Sequence, residues 1–289
     1  MQIIDTHIHF SNIHSFADTA SQISQVDYNL EGLRKGQAEQ GIAAAIAMGL
    51  TETEPGSFPD DQAATPMILD LDRRLPDNLY CCPGINPYDL SRRPAALAEL
   101  ALVLEQARTV GIKLYAGYYP FPISDPVFDP VYRLAAEMEL PVVVHGGVTY
   151  SPKGLLRYAH PLSFEETIAA HPELTFVIAH MGEPWGMDTA ALMSKHPHVH
   201  ADLSGLLVTD AATIRRKATQ LEERIRLRQP LLFEERPDRW LFGSDWPLAP
   251  LGAYLAFIKE LVPEDWHQMV FRTNALRVFS RLNRFMPQR

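Results

Sequence analysis

Cysteine is nearly absent: Cys81 and Cys82 are the only two, adjacent and set in an apolar run. Neighbouring thiols of this kind build no disulfide framework, and free buried thiols suit a reducing compartment. Long apolar runs are missing as well, since no stretch reaches the roughly 20 residues that a bilayer-spanning helix needs. The opening MQIIDTHIHF carries no basic residues ahead of its apolar ones. No signal peptide is therefore expected, and the expected location is cytoplasmic. Basic stripes are absent too. With a formal net charge of -9, the chain would repel a phosphate backbone, which argues against nucleic acid as a partner. No linker, low-complexity tract or internal repeat divides the sequence, so residues 1–289 are expected to form a single domain.

What is present is an alternation of apolar runs and amphipathic stretches. Strand-like runs cover Ile3–His7, Ile42–Met48, Leu79–Ile85, Ile112–Tyr115, Val142–His145, Thr175–His180, Val199–Leu203 and Trp240–Gly243. Helical spacing appears between them over Ala95–Val110, Pro130–Leu140, Phe164–Ala170 and Thr213–Arg228, and again over Met269–Leu282 at the C-terminal end. Runs such as VVV and FVIA are apolar without alternation, as parallel strands buried on both faces require. Gly41, Gly111, Pro141 and Pro172 stand where the chain must turn from helix to strand. Eight such units fit either an open doubly wound sheet or a closed (β/α)₈ TIM barrel. The first strand is not followed by a Gly-rich phosphate loop, which lowers the dinucleotide-binding version of the open sheet. A core of this size holds itself together without a structural metal. The loop Thr51–Asp61, acidic and containing Pro and Gly, is expected to be solvated surface.

The titratable residues fall at the ends of these strands. The first strand runs into Asp5-Thr6-His7-Ile8-His9, the fifth ends at His145, the sixth at His180, and LFGSDWP puts Asp245 just beyond the eighth. In a β/α barrel the C-terminal strand ends converge on one face, where active sites are built. His7 and His9 are two residues apart, so on a strand both imidazoles point the same way. Two imidazoles so placed suit one divalent ion, and His145 and Asp245 at equivalent strand ends complete a ligand set. His196, His198 and His200 alternate as well, but they begin the seventh strand, at the opposite face of the barrel. Asp202 and Ser204, at that strand's other end, are the better candidates there.

The pieces IIDTHIHF, GIKLYAGYYPFPISDPVFDPVY, LPVVVHGG, FVIAHMG, LFGSDWP and TNALRVF, in this order, resemble the amidohydrolase superfamily. Within it they resemble the amidohydrolase-related branch that includes aromatic-acid decarboxylases and lactonases. The resemblance spans the domain. It implies a barrel closed by a C-terminal helix, with His7, His9 and His145 as metal ligands. It also implies that Asp245 both ligates and handles protons, and that His180 is a catalytic partner. Lys113 on the fourth strand either is carbamylated to bridge two metals or, as a plain lysine, binds a substrate carboxylate; the motif around it favours one metal. Zn²⁺ is the default for three His and a carboxylate, with Mn²⁺, Fe²⁺ or Co²⁺ as replacements.

The expected function is a metal-dependent hydrolase of a small carboxylated or cyclic ester, lactone or amide. Non-oxidative decarboxylation by the same residues is the alternative, making the enzyme a lyase. A metal-free lactonase or a barrel that binds without turnover ranks last. Tyr115, Trp185 and Trp246, in loops above the strand ends, are expected to line the substrate pocket with Lys113. A small molecule is the expected partner, with no membrane; a homodimer stays open.

Overall fold

A computed structural model describes residues 1–69 and 76–286. Among these, nine parallel strands follow one another with helices between: β1 Ile3–Ile8, β2 Ile42–Met48, β3 Leu79–Cys82, β4 Gly84–Ile85, β5 Ile112–Leu114, β6 Val142–Val144, β7 Phe176–Ile178, β8 Val199–Asp202 and β9 Trp240–Leu241. They pair in two arcs, β1-β2-β3 and β4-β5-β6-β7-β8-β9. The run Leu79–Ile85, expected to be one strand, is divided at Pro83, which has no N–H to give to a ladder. Its carbonyl still accepts from Lys113 N at 2.9 Å, so the wall continues across the break. The arcs also meet at the chain's two ends. Thr6 N donates to Phe242 O at 2.9 Å, Asp245 N to His7 O at 2.8 Å and His9 N to Trp246 O at 2.7 Å. The result is a closed (β/α)₈ barrel.

Side chains alternate along the short strands and sort into two layers. Ile112, Leu114, Val142, Val144, Phe176 and Ile178 face the surrounding helices. Ile4, Ala44, Ile46, Val143, Val177 and Leu241 fill the interior and pack on Leu276, Phe279 and Leu282 of the C-terminal segment. That segment plugs the N-terminal end of the barrel. The same alternation that buries Val143 inward carries Lys113 and His145 inward, toward the open end.

Helix boundaries depart from the expected ones where local polar bonds intervene. The stretch Ala95–Val110 is helical only over Ala96–Leu104, and Thr109 Oγ1 then donates to Val103 O at 2.8 Å, fastening the turn that follows. Thr213–Arg228 is two helices, Ala211–Ala218 and Leu221–Glu234. The first is started by Asp210, whose carboxylate accepts from Ala212 N and Thr213 N. The C-terminal Met269–Leu282 is interrupted at Phe279 (φ -101°, ψ 66°). Among the described residues no helix is long and apolar enough to cross a membrane.

The loop Thr51–Asp61 is exposed over residues 53–56 and again at Asp61, but Pro59 and Asp60 between them are buried. Asp60, 4% exposed, accepts from Thr53 N and Oγ1 at 2.6 Å, Gln62 N at 2.8 Å and Ser57 Oγ at 3.0 Å. These bonds hold its carboxyl below the usual range, against the effect of burial. Glu52 accepts from His14 N at 2.7 Å and Phe58 N at 3.3 Å, tying the loop to the helix His14–Thr19. Replacing Asp60 by Ala strands those donors, and hydrogen bonds to a charged group contribute about 1.5–3 kcal/mol. Asp60→Ala is therefore expected to lower the unfolding free energy by about 2 kcal/mol, read from the urea midpoint. An unchanged midpoint would mean that the loop's own packing holds it.

Candidate metal centre

Each group in the centre is delivered by a strand end or the turn after it. His7 lies in β1 and His9 just past it, both buried. Asp245 follows β9 with φ +59° and His180 follows β7 with φ +58°. The run FVIAH, expected to stay extended to His180, stops at Ile178. The chain then turns through Ala179–Gly182, and the left-handed backbone at His180 and Met181 swings the imidazole inward. For non-glycine residues such conformations cost energy and cluster at functional sites.

His7, His9 and Asp245 each offer a ligand atom, all within 4.8 Å of one another. Asp245 Oδ1 is 3.2 Å from His9 Nε2 and 3.7 Å from His7 Nε2. Ligands about 2.0–2.1 Å from a tetrahedral ion stand roughly 3.3 Å apart, so these spacings fit one small divalent cation. Buried polar atoms normally have partners. Here His7 Nε2, His145 Nε2 and Asp245 Oδ1 are buried with no hydrogen-bond partner, as an ion's ligands would be without the ion. Burial lowers the basicity of His7, His9, His145 and His180, the last to about 4. All four are thus neutral near pH 7, the form that ligates. Burial pushes the Asp245 carboxyl up, yet His180, His9 and His7 hold it well below the usual range, so it is a carboxylate.

A second set brings together His7, His180 and Asp202, but its atoms are already committed. Asp202 Oδ2 is 2.8 Å from His7 Nδ1. A carboxylate only accepts, so His7 carries its proton on Nδ1 and turns the Nε2 lone pair toward Asp245. Asp202 Oδ1 accepts from His180 N and Ser204 N at 3.0 Å, and from Ser204 Oγ. Ser204 Oγ lies 2.9 Å from His180 Nδ1. Asp202 therefore orients two imidazoles and ligates nothing itself, and such supports change metal affinity about 10–100-fold. Asp202→Asn is expected to weaken metal binding by that factor in a chelator competition. Unaltered affinity would remove it from the support of His7.

The remaining expected residues divide. Lys113 and His145 line the same cavity, of about 470 Å³, with Tyr115 and Tyr118. His145 stands outside the tight His7–His9–Asp245 group, its ring 4.8 Å from Tyr118 and 5.0 Å from His180. Lys113 Nζ is buried without a hydrogen bond, and burial draws its ammonium down to about 8, against the pull of Asp202 and Asp245. Trp185 and Trp246 do not line the cavity. Trp185 packs on His160, ring centroids 4.6 Å apart. Trp246, 2% exposed, packs on Tyr28 and Phe10 at the seam where the barrel closes. Glu183 lines the cavity but is paired with Arg226. At the opposite face His196 pairs with Glu165 at 3.4 Å and His198 with Ile168 O at 3.1 Å.

Sequence reasoning missed Phe16, which stacks on His9 with centroids 4.4 Å apart, and Phe58, a cavity wall from the 51–61 loop. No strand-end signal points to either, because Phe16 lies in the short helix His14–Thr19 and Phe58 in the 51–61 loop, segments whose path the strand pattern does not fix.

No curated protein matches the chain in sequence. Among solved structures it is similar to a probable 2-pyrone-4,6-dicarboxylic acid hydrolase from Acinetobacter baumannii with citric acid bound, at 16% identity and TM-score 0.64, covering 97% of this chain and 100% of that one. It is similar to an amidohydrolase from Burkholderia multivorans with bound zinc, at 20% identity and TM-score 0.64, covering 97% and 99%. A 5-carboxyvanillate decarboxylase from Novosphingobium aromaticivorans, complexed with manganese, aligns at 16% identity and TM-score 0.65, covering 96% of each chain. The amidohydrolase family model matches residues 4–281, so the chain belongs to the amidohydrolase family.

Proposed function

We propose that the protein is a metal-dependent hydrolase that attacks a small carboxylated or cyclic ester, lactone or amide with water. The observation that carries this is the convergence of unpaired, buried His7 Nε2 and Asp245 Oδ1 beside His9 Nε2. His7, His9 and Asp245 would hold the ion, with His145 the further ligand from the same cavity. The ion, when bound, supplies a Lewis acid that polarises a carbonyl and makes water acidic near neutral pH.

The protein's own groups do the rest. Asp245 presents Oδ1 to His7 and His9, while its Oδ2 lies 3.8 Å from His180 Nδ1. It is placed to accept the proton of the attacking water and return it to the leaving group. His180, whose Nδ1 donates to Ser204 Oγ and whose backbone N–H donates to Asp202, would stabilise the developing oxyanion as a donor only in its protonated form. Lys113 at the cavity floor would take a substrate carboxylate. Apolar walls keep bulk water from these groups, which strengthens each interaction.

Decarboxylation uses the same residues, with Asp245 or His180 delivering the proton to the carbon that loses CO₂. The similarity to a carboxyvanillate decarboxylase favours keeping it as the second reading. The test is elemental analysis of protein purified without chelator or added metal, followed by a screen of lactones, esters and carboxylated aromatics in H₂¹⁸O. About one metal equivalent and one ¹⁸O atom in the product supports the hydrolase. CO₂ release without ¹⁸O incorporation replaces it with the decarboxylase. Two equivalents would make Lys113 a bridging carbamate. No metal, even after reconstitution, would overturn both.

A further inference from the structure

Above the metal centre the cavity walls are mostly apolar out to the surface, with Ser15, Thr19 and Ser151 the small uncharged polar side chains among them. Phe16 covers His9 on one side. On the other, Tyr118 stands 4.8 Å from His145 and 5.0 Å from Phe58, centroid to centroid. Leu50, Leu206 and Leu248 belong to the same lining. At the mouth Ile23, Val148 and Tyr150 belong to the same lining, yet they are 47%, 44% and 71% exposed. Tyr150 is tied to the wall through its N–H, which donates to Tyr118 OH at 3.4 Å. Lone exposed apolar side chains need no explanation, but a group continuous with an apolar pocket marks a surface that a ligand covers.

Charge in the cavity is scarce. Among the described lining residues Lys113 is the one lysine or arginine, and it sits at the floor. Asp245 belongs to the metal centre, and Glu183 is neutralised by Arg226. The only other cation would be the metal ion, held at the same end of the cavity as Lys113, so an acidic group placed out along Phe58, Tyr118 and Leu50 would be desolvated unpaired, which is costly. A cavity of about 470 Å³ also leaves space above a single carboxylated ring.

We infer that the substrate carries one acidic group for the floor and an apolar arm, aryl or alkyl, that runs between Phe16 and Tyr118 and rests on Ile23, Val148 and Tyr150. The inference deepens the proposed function and rests on it for the position of the reacting bond.

The test is calorimetric titration of the metal-loaded protein with inert ligands: benzoate, 4-methyl-, 4-butyl- and 4-hexylbenzoate, and 4-(3-carboxypropyl)benzoate, whose second acid sits at the end of the arm. Affinity is expected to rise about threefold per added methylene, slightly below the full-burial value. 4-(3-Carboxypropyl)benzoate should bind at least about tenfold more weakly than 4-butylbenzoate, given the cost of a carboxylate left unpaired along the apolar wall. In a double variant, Ile23→Ser with Tyr150→Ser, the chain-length slope should flatten while benzoate affinity holds. Both positions are exposed, and an unchanged melting curve confirms the fold. Affinity independent of chain length, a slope unaltered in the double variant, or 4-(3-carboxypropyl)benzoate binding more tightly than 4-butylbenzoate would each overturn the inference. So would failure of the whole series to bind. Chain-length dependence accompanied by CO₂ release without ¹⁸O incorporation would leave the arm standing and remove the hydrolytic reading. Hydrolysis of small lactones with no chain-length dependence would do the reverse.

Discussion

Asp245→Asn is expected to lower kcat by roughly 10²–10⁴-fold, the usual contribution of a positioned general base, in a protein that keeps its barrel. The amide retains an oxygen in place of Oδ1, 3.2 Å from His9 Nε2. It cannot accept the water's proton, and it removes the negative charge that His180 faces at 3.8 Å. Asp245 N–H, which donates to His7 O at 2.8 Å, is backbone and survives the change, so the closing seam is not disturbed. Activity should therefore fall much further than metal content, measured on the same preparation. Parallel loss of metal and activity would make Asp245 a ligand alone. An activity loss under tenfold would assign the proton transfer to another group, with His180 the nearest.

Gly205→Ala should be nearly as damaging, although glycine has no chemistry of its own. The residue has φ +62°, and a Cβ built on it would stand 2.7 Å from both Asp245 Oδ2 and His180 Nδ1. A methyl group there pushes directly against both the Asp245 carboxylate and the His180 imidazole, in a backbone conformation that alanine rarely adopts. Misplacing reacting groups by about 1 Å costs on the order of 10²-fold, and kcat is expected to drop by about that factor. Metal content should hold, because Asp245 Oδ1, His7 and His9 lie on the other side of the carboxylate. Full activity in Gly205→Ala would mean that the Asp245–His180 approach plays no part in turnover.

Much of this molecule is legible in its sequence, and the boundary of legibility has physical causes. Strand order and the strand-end origin of His7, His9, His145 and Asp245 follow from apolar runs that recur with helical stretches between them, whereas the pattern fits an open sheet as well as a barrel and the family resemblance points to the barrel. The break at Pro83 follows from the same sequence once proline is taken at its word as a residue that cannot donate. The reach of His180 was not legible, because apolar pattern says nothing about a backbone that turns left-handed after Ile178. Trp185 and Trp246 illustrate the limits of position. Both follow strands at the open end, but an indole is large enough to serve as packing, and here Trp246 seals the seam against Tyr28 and Phe10. Conversely Phe16 and Phe58 reach the cavity from segments whose path depends on Glu52, which accepts from His14 N across 38 residues, and on Asp60, which ties the loop to itself. The acidity of the 51–61 loop suggested solvent, whereas one of its carboxylates is its internal anchor.

The two arcs of the barrel divide the candidate ligands between them. His7 and His9 come with the first arc, while Asp245 arrives with the last strand of the second, more than two hundred residues later. The groups come within reach of one ion only after β9 has docked beside β1, a contact of very high sequence separation and so a slow one to form. An ion held there would act as a clasp on a ring, joining the first strand to the last. During synthesis, the emerging chain would have no affinity for the ion until nearly all of it had left the ribosome. Metal capture would then report completion of the barrel, and withdrawing the ion would loosen the molecule first along that seam.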